Sequence, residues 1–397
     1  MNILIILATD YPHLGGISSH IETLSKELRH KGDNIFIFTL SSYPLPLRIA
    51  FTSFSLFFDT IKKGLGQFLI RIILFELLTE PIIFIYCITR KIEIIHAHDC
   101  IAFNSTYLAR NLLKIPSVLT VHGYLTLEPI AHGELNRTSY SLIKLFVDQE
   151  KKAYKNANHI ITVGYNIKKY ILKFNLNEFK ITNVINFVNI NEFNVNYDKS
   201  FCRKMFNLNL NKYVILVPRR LVEKCGVMLP LYALQYISEP IKNKLLLVYC
   251  GTGPKKKDIE TYIRKNNLNN VSLLGRVSHN KMKYIYKASD LVLIPSIPIS
   301  GVEEATSISA LEAMAMGIPI IASNIGGLRE IIVNEINGIL VQPDSEAFAH
   351  AINNFFIGKI KHNKIKSQQY VKDEFIKSIE KIQSIYLKIC DEKVVNQ

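Results

Sequence analysis

The chain has 397 residues, 48% of them hydrophobic and 20% charged, a composition that excludes an intrinsically disordered protein. A single hydrophobic core stops growing at about 250–300 residues, so two domains are expected. The 48 Lys and Arg outnumber the 33 Asp and Glu and leave a formal charge of +15, a field that attracts nucleic acid, anionic lipid or phosphorylated substrates.

The opening segment MNILIILATDYP has no basic n-region and no small-residue cleavage site. It reads as a buried first strand and not as a signal peptide, and a cytoplasmic protein is expected. The apolar run Ile3–Ala8 leads into a turn containing Pro12, Gly15 and Gly16. An amphipathic helix over Ser18–Lys31, closed by Gly32, and a strand over Asn34–Leu40 follow. Strand, glycine loop, helix, strand is the unit of a parallel α/β sheet. Residues 45–90 break this rhythm. They are rich in Phe, Ile and Leu, and Arg48, Lys62, Lys63, Arg71 and Arg90 punctuate them. No uncharged run there reaches the ~18–20 residues that span a bilayer. Apolar stretches with interspersed cations suit helices lying in a membrane interface, so a membrane-surface insertion is expected; a pair of buried helices is the other reading. Further strands are predicted at Ile92–Ala97, Ser117–Val121, His159–Val163 and Lys180–Ile185, with an Asn-rich linker over Asn186–Asn196.

In the second half, strands are predicted at Tyr213–Val217, Leu245–Cys250, Val271–Leu274, Leu291–Pro295, Pro319–Ser323 and Gly338–Val341. Helices alternate with them, at Gly226–Ser238, Pro254–Asn266, Ser278–Ala288, Glu304–Met316, Leu328–Val333 and Asp344–Phe356. That alternation predicts a doubly wound parallel sheet. The last ~40 residues read as polar helix. The six cysteines form no C-x-x-C pair, which points to reduced thiols and away from a disulfide framework or a metal site.

Candidate chemistry sits at strand ends and in glycine loops. Gly15 and Gly16 precede the first helix, where backbone N–H groups can approach an oxyanion. His122, in Thr120-Val121-His122-Gly123, stands at the carboxyl end of a strand, where open α/β sheets bind ligands. His96-Ala97-His98-Asp99 is a second cluster at a strand end, a lining without an evident third metal ligand. Arg219 and Arg220 end the first strand of the second half, and Lys224 follows. Fixed cations there can hold a diphosphate and stabilise its charge as it leaves. Cys250-Gly251-Thr252-Gly253 is a glycine turn after a strand, but no third glycine follows, so a nicotinamide dehydrogenase is poorly supported.

The most informative segment is Gly301–Gly327. Glu304 and Glu312 are eight positions apart, just over two helical turns, so a loop Glu and a helix Glu can fall on one side of the element. Their carboxylates can accept hydrogen bonds from sugar and ribose hydroxyls. Thr306, Ser307 and Ile308 lie near the helix start, where N–H groups without intrahelical partners can bind phosphate.

Taken in order, GGISSH, VHG, the strand Ile161–Val163, RRLVEK, GTG, GRVSH and EEATSISALEAMAMGIPIIAS resemble the retaining GT-B glycosyltransferases of family 4, also called glycosyl transferases group 1. The resemblance covers nearly the whole chain. It implies an α/β protein of GT-B class, with two Rossmann-like domains and a deep inter-domain cleft. The expected division is an acceptor-binding domain at 1–195 and a nucleotide-sugar-binding domain at 196–375, with a helix at 376–397 packing back on the first. The resemblance further implies that Gly16, with Gly15 beside it, faces the donor diphosphate, that His20 lines the cleft, and that His122 lies near the transferred sugar and leaving phosphate. Arg220 and Lys224 would hold the diphosphate, Gly251 would lie in the donor site, and Val277 would sit beside the nucleobase. Glu304 would contact the donor sugar, backbone groups of Thr306–Ile308 the phosphate, and Glu312 the ribose. Pro218-Arg219-Arg220 stands where a glycine usually precedes the arginine, and Cys225 separates Lys224 from Gly226, so either arginine can be the diphosphate ligand.

The implied activity is retaining transfer by front-face attack, from a nucleotide-sugar donor to a lipid-linked or membrane-proximal glycan acceptor in cell-surface polysaccharide synthesis. The expected place of work is the cytoplasm or the inner face of the cytoplasmic membrane. No D-x-D occurs in the chain, in agreement with a metal-independent site that needs no cofactor. The other reading is a non-catalytic GT-B-like nucleotide-binding or scaffold protein. Nucleic acid is not an expected partner, because no recognition module is visible.

Overall fold

In the computed structural model, which describes residues 1–12 and 15–395, every predicted apolar run becomes a strand of one of two parallel sheets. The first sheet holds β1 (Asn2–Leu7), β2 (Asn34–Thr39), β3 (Ile94–Ala97), β4 (Ser117–Val121), β5 (His159–Thr162) and β6 (Ile181–Asn183). Its order is β2-β1-β3-β4-β5-β6. Ile3 through Leu7 are all fully buried, the unbroken apolar run of a parallel strand covered on both faces. The second sheet holds β7 (Tyr213–Val217), β8 (Leu245–Cys250), β9 (Val271–Gly275), β10 (Leu291–Ile294), β11 (Ile320–Ser323) and β12 (Ile339–Val341), in the order β12-β11-β10-β7-β8-β9. The chain therefore starts in the middle of each sheet and later crosses to the other side of its first strand. That leaves a switch point between β1 and β3 in one sheet and between β7 and β10 in the other, the positions where such sheets bind ligands.

The chain divides into two compact units, Met1–Ile185 with Ser300–Val302 and the residues from Lys377 onward, and Asn186–Ile299 with Glu303–Ile376. The Asn-rich stretch that the sequence marks as a linker counts with the second unit. Its two aromatic residues are buried: Phe187 packs against Phe375 with ring centroids 6.0 Å apart, and Phe193 is buried as well. The last helix runs over Lys364–Val395, within the ~40 residues read as helix and starting before the expected boundary at 376. Ile379, Ile382, Tyr386 and Ile389 are buried along it, at the three- and four-residue spacing of one helical face.

Helix α1 (Gly16–His30) follows β1 and turns Ile21, Leu24 and Leu28 inward. Residues 45–90 are mainly helical, as α2 (Leu45–Ile61), a π-helical stretch over Gln67–Leu74 and α3 (Phe75–Thr89). One side of this segment is buried through Phe51, Phe68, Ile72, Phe75 and Ile83. No described helix is long and apolar enough to cross a membrane. None of the six cysteines is in a disulfide.

Candidate active site

At the switch point of the first sheet, four histidines converge. His20 comes from α1, His96 from β3, His98 from just beyond β3, and His122 from just beyond β4. Alternate residues of a strand share a face, and His96 and His98 stack with centroids 4.3 Å apart. His98 stacks in turn on His122 at 5.3 Å, and His98 Nδ1 lies 3.0 Å from His122 Nε2. His20 meets His122 edge-on at 4.9 Å. His96 is fixed by Thr120 Oγ1 at 2.7 Å and the Tyr386 hydroxyl at 2.5 Å. Asp99 ties the strand ends together, accepting hydrogen bonds from the Ala8 N–H at 2.8 Å and the Ala102 N–H at 2.7 Å.

Burial, reinforced by the neighbouring imidazoles, pushes His98 and His122 well below the ordinary histidine range and His96 down to about 3. All three are therefore neutral at physiological pH, and a neutral imidazole both donates and accepts a hydrogen bond. One ring nitrogen from each of His20, His98 and His122 lies within 4.8 Å of the others. Imidazole nitrogens so placed could also hold a divalent cation. The sequence hides this third ligand because the three histidines come from three separate elements.

At the switch point of the second sheet the central feature is a buried ion pair. Arg219 Nη2 donates to Glu304 Oε2 at 2.6 Å and to Ser296 Oγ at 2.9 Å, while Nη1 donates to Ser307 Oγ at 3.1 Å. Ser296 Oγ also donates to Glu304 Oε2, at 3.1 Å. Burial alone would raise the Glu304 carboxyl, but the charge and hydrogen bond of Arg219, with Lys224 and Ser296, overcome it and hold Glu304 below the usual carboxylate range. Arg220, one residue on, is exposed. Lys224 is half-buried, near enough to act on Glu304.

Close backbone packing fixes this constellation. A Cβ on Gly251 would lie 2.0 Å from the Arg219 carbonyl oxygen, and one on Gly326 would lie 2.2 Å from that of Glu304. Both glycines also have positive φ, at 153° and 43°, which favours a residue without a side chain. Gly327 N–H donates to the Glu304 carbonyl at 2.8 Å, and Asn186 Nδ2 donates to that of Thr306 at 2.7 Å. These contacts hold 304–307 as a loop, so the helix predicted from Glu304 begins only at Ile308. Ser307 is its N-cap residue, with its side chain turned to Arg219 and not to the helix.

Glu304 and Glu312 therefore have separate partners. Glu312 is buried in the helix, where Oε2 accepts from the Tyr286 hydroxyl at 2.7 Å, and His279 Nδ1 stands 3.9 Å from Oε1. Burial raises its carboxyl above the usual range, against the Tyr286 hydrogen bond. Val277 is half-buried in the loop between β9 and the helix His279–Ala288. Ser296, Tyr286 and Asn186 had no motif to announce them. A hydroxyl or amide becomes visible as a site residue only once the fold carries it to its partner.

The family model described as Glycosyl transferases group 1 matches residues 198–372, and that described as Glycosyltransferase Family 4 matches residues 14–192. The chain belongs to the group 1, family 4 glycosyltransferases. An uncharacterized glycosyltransferase of Methanocaldococcus jannaschii is 29% identical over 64% of this chain and 63% of its own length, so less than two thirds of that relative is matched. The Escherichia coli UDP-Gal:alpha-D-GlcNAc-diphosphoundecaprenol alpha-1,3-galactosyltransferase is 27% identical over 75% of this chain and 76% of its own. The structure of Anabaena HepE in complex with UDP matches with a TM-score of 0.71 at 18% identity, covering 98% of this chain and 100% of that one. This glycosyltransferase thus has the GT-B fold of two Rossmann-like domains.

Proposed function

We propose that this glycosyltransferase is a retaining hexosyltransferase that moves a sugar from a nucleotide-diphosphate sugar to a lipid-linked or membrane-proximal glycan in cell-surface polysaccharide synthesis. The observation that carries the reading is the Arg219–Glu304 pair, a buried carboxylate held ionised at a sheet's switch point. Among the described residues both of its side-chain hydrogen bonds fall on Oε2, and Oε1 takes a hydroxyl of the donor sugar. Arg219 is committed to Glu304, so the exposed Arg220, with Lys224, takes the diphosphate. Phosphate oxygens also meet the backbone at Thr306–Ile308, where a helix begins. Glu312 receives the ribose hydroxyls and Val277 lies against the base, while the Gly251 turn shapes the donor pocket.

In the first unit, we assign Gly15 and Gly16, at the start of α1, to a phosphate group and neutral His122 to a sugar hydroxyl, with His98 and His20 orienting the His122 ring. As the glycosidic bond breaks, negative charge grows on the departing diphosphate, and fixed cations stabilise it without reorganising. They take the part that a divalent ion plays elsewhere, so we assign the reaction no metal and no other cofactor. Attack by the acceptor oxygen on the face the diphosphate leaves retains the configuration.

The UDP in the Anabaena structure and the diphosphoundecaprenol-linked acceptor in the name of the Escherichia coli enzyme support the donor and acceptor classes. The place of work is the inner face of the cytoplasmic membrane. The test is a thermal-shift panel of UDP, GDP, ADP and their sugar conjugates, followed by NMR assignment of the product anomer. A donor at 100 times its dissociation constant adds about 2.7 kcal/mol of stability, and the product keeps the donor's anomeric configuration. A flat panel with no turnover would point instead to a scaffold protein.

A further inference from the structure

Helices α2 and α3 carry a surface that the transfer chemistry does not use. Along α2, Leu45, Ile49 and Leu56 recur at helical spacing, and Phe54, Phe57 and Ile61 widen the stripe; each is more than half exposed. Along α3, Leu77, Ile85 and Ile88 are exposed to the same degree. Single exposed apolar residues are ordinary, but apolar faces on two successive helices mark an interaction surface.

The charges of residues 45–91 are sorted by sign. All three carboxylates are engaged within the fold: Asp59 accepts from the Gly64 and Gly66 N–H groups, Glu76 pairs with Lys152, and Glu80 accepts from the Leu108 N–H. The exposed charges are Lys62, Lys63, Arg71, Arg90 and Lys91, every one positive. Lys62 and Lys63 directly follow α2, and Arg90 and Lys91 directly follow α3.

We propose that α2 and α3 dock the first unit on an anionic bilayer, with their apolar faces among the acyl chains and the cations at their ends on the headgroup phosphates. At 17 residues α2 is shorter than the ~20 residues of a spanning helix, and no described helix is long and apolar enough to cross a membrane, so both faces are suited to lying in the interface plane. A protein partner would meet a rim with polar and charged groups of both signs; here the exposed charges have one sign, the complement of phosphatidylglycerol-type headgroups. This inference stands apart from the transfer reaction, because membrane binding is read whether or not a donor is turned over.

The chain contains no Trp, so Phe57→Trp and Ile85→Trp each install a single reporter. The full chain is mixed with vesicles of phosphatidylcholine, alone or with phosphatidylglycerol. Both reporters shift to the blue on anionic vesicles and are quenched by brominated acyl chains, and binding weakens as salt rises. Phe57→Asp combined with Ile61→Asp, and separately Ile85→Asp, weakens flotation about tenfold or more, with circular dichroism unchanged. The proposal is overturned if the protein floats while both reporters stay unshifted, since another surface then binds. It is equally overturned if nothing floats, whether the chain stays monomeric or sedimentation shows a self-associated species that Phe57→Asp dissolves.

Discussion

Arg219 and Arg220 are neighbours in sequence and opposites in environment. Arg219 is buried in the Glu304 pair, whereas Arg220 is exposed. Removing one partner of a buried pair strands the other charge and costs about 3–5 kcal/mol. Arg219→Met should therefore lower the melting temperature sharply. Arg220→Ala should leave stability within about 0.5 kcal/mol yet weaken donor binding about 10–100-fold, the loss of a charge-assisted contact. Calorimetric melting beside donor titration separates the two; equal effects on both readouts would remove the distinction. The sequence places both arginines at a strand end but cannot rank them, because the Ser296 and Glu304 that capture Arg219 arrive from beyond β10.

The histidine cluster makes a second prediction at this scale. His96 titrates at about 3 in the folded state against an ordinary 6.5. Above the ordinary value both folded and unfolded chains carry it neutral. As pH falls below 6.5 the unfolded chain binds a proton that the folded chain refuses, so stability is lost down to the folded value, at up to about 1.4 kcal/mol per pH unit. Buried carboxyls raised by burial, Glu312 among them, act in the opposite sense, so the informative quantity is a difference. Denaturant titrations of the wild type and of His96→Gln across this window should show a shallower loss in the variant. Parallel slopes would mean that His96 is not held neutral.

At the scale of the element, the strands were legible and the loops were not. Buried parallel strands announce themselves as short apolar runs, and the strands of both sheets lie within about two residues of the predicted bounds. Helix starts were less legible. The helix predicted over Gly226–Ser238 covers only Leu229–Ala233, and its start is delayed because Gly226 takes a left-handed conformation with φ 59°. The helix predicted from Glu304 starts later because Gly326 and Gly327 pack on the backbone of 304–306. Glycines distant in sequence thus decide where the 304–307 loop ends, and no local pattern carries that information. Gly326→Ala should cost well beyond the ~1–2 kcal/mol of a left-handed alanine, since its Cβ would stand 2.2 Å from a carbonyl oxygen. It should also weaken donor binding. Gly358→Ala has φ 76° with nothing within 4 Å, so it should cost only the conformational part. Equal destabilisation of the two variants would show that the loop yields to the clash.

At the scale of the molecule, the two-unit division puts the chain's end with its beginning. From Lys377 the last helix belongs to the first unit, where Ile379, Ile382, Tyr386 and Ile389 are buried and Tyr386 bonds His96. Each such side chain contributes about 1.5–3 kcal/mol by burial. Four together rival the 5–15 kcal/mol that separates a typical folded domain from its unfolded state. A chain ending at Ile376 should therefore unfold in its first unit. The second unit keeps its sheet, the Arg219–Glu304 pair and the buried Val371. Scanning calorimetry should show one transition lost and the other retained and still raised by the donor nucleotide, with no transfer activity. Tyr386→Phe, which removes only the hydroxyl, should lower the first unit's transition by about 1 kcal/mol and leave the second in place. A truncated chain that kept both transitions would mean that this helix covers the first unit without stabilising it.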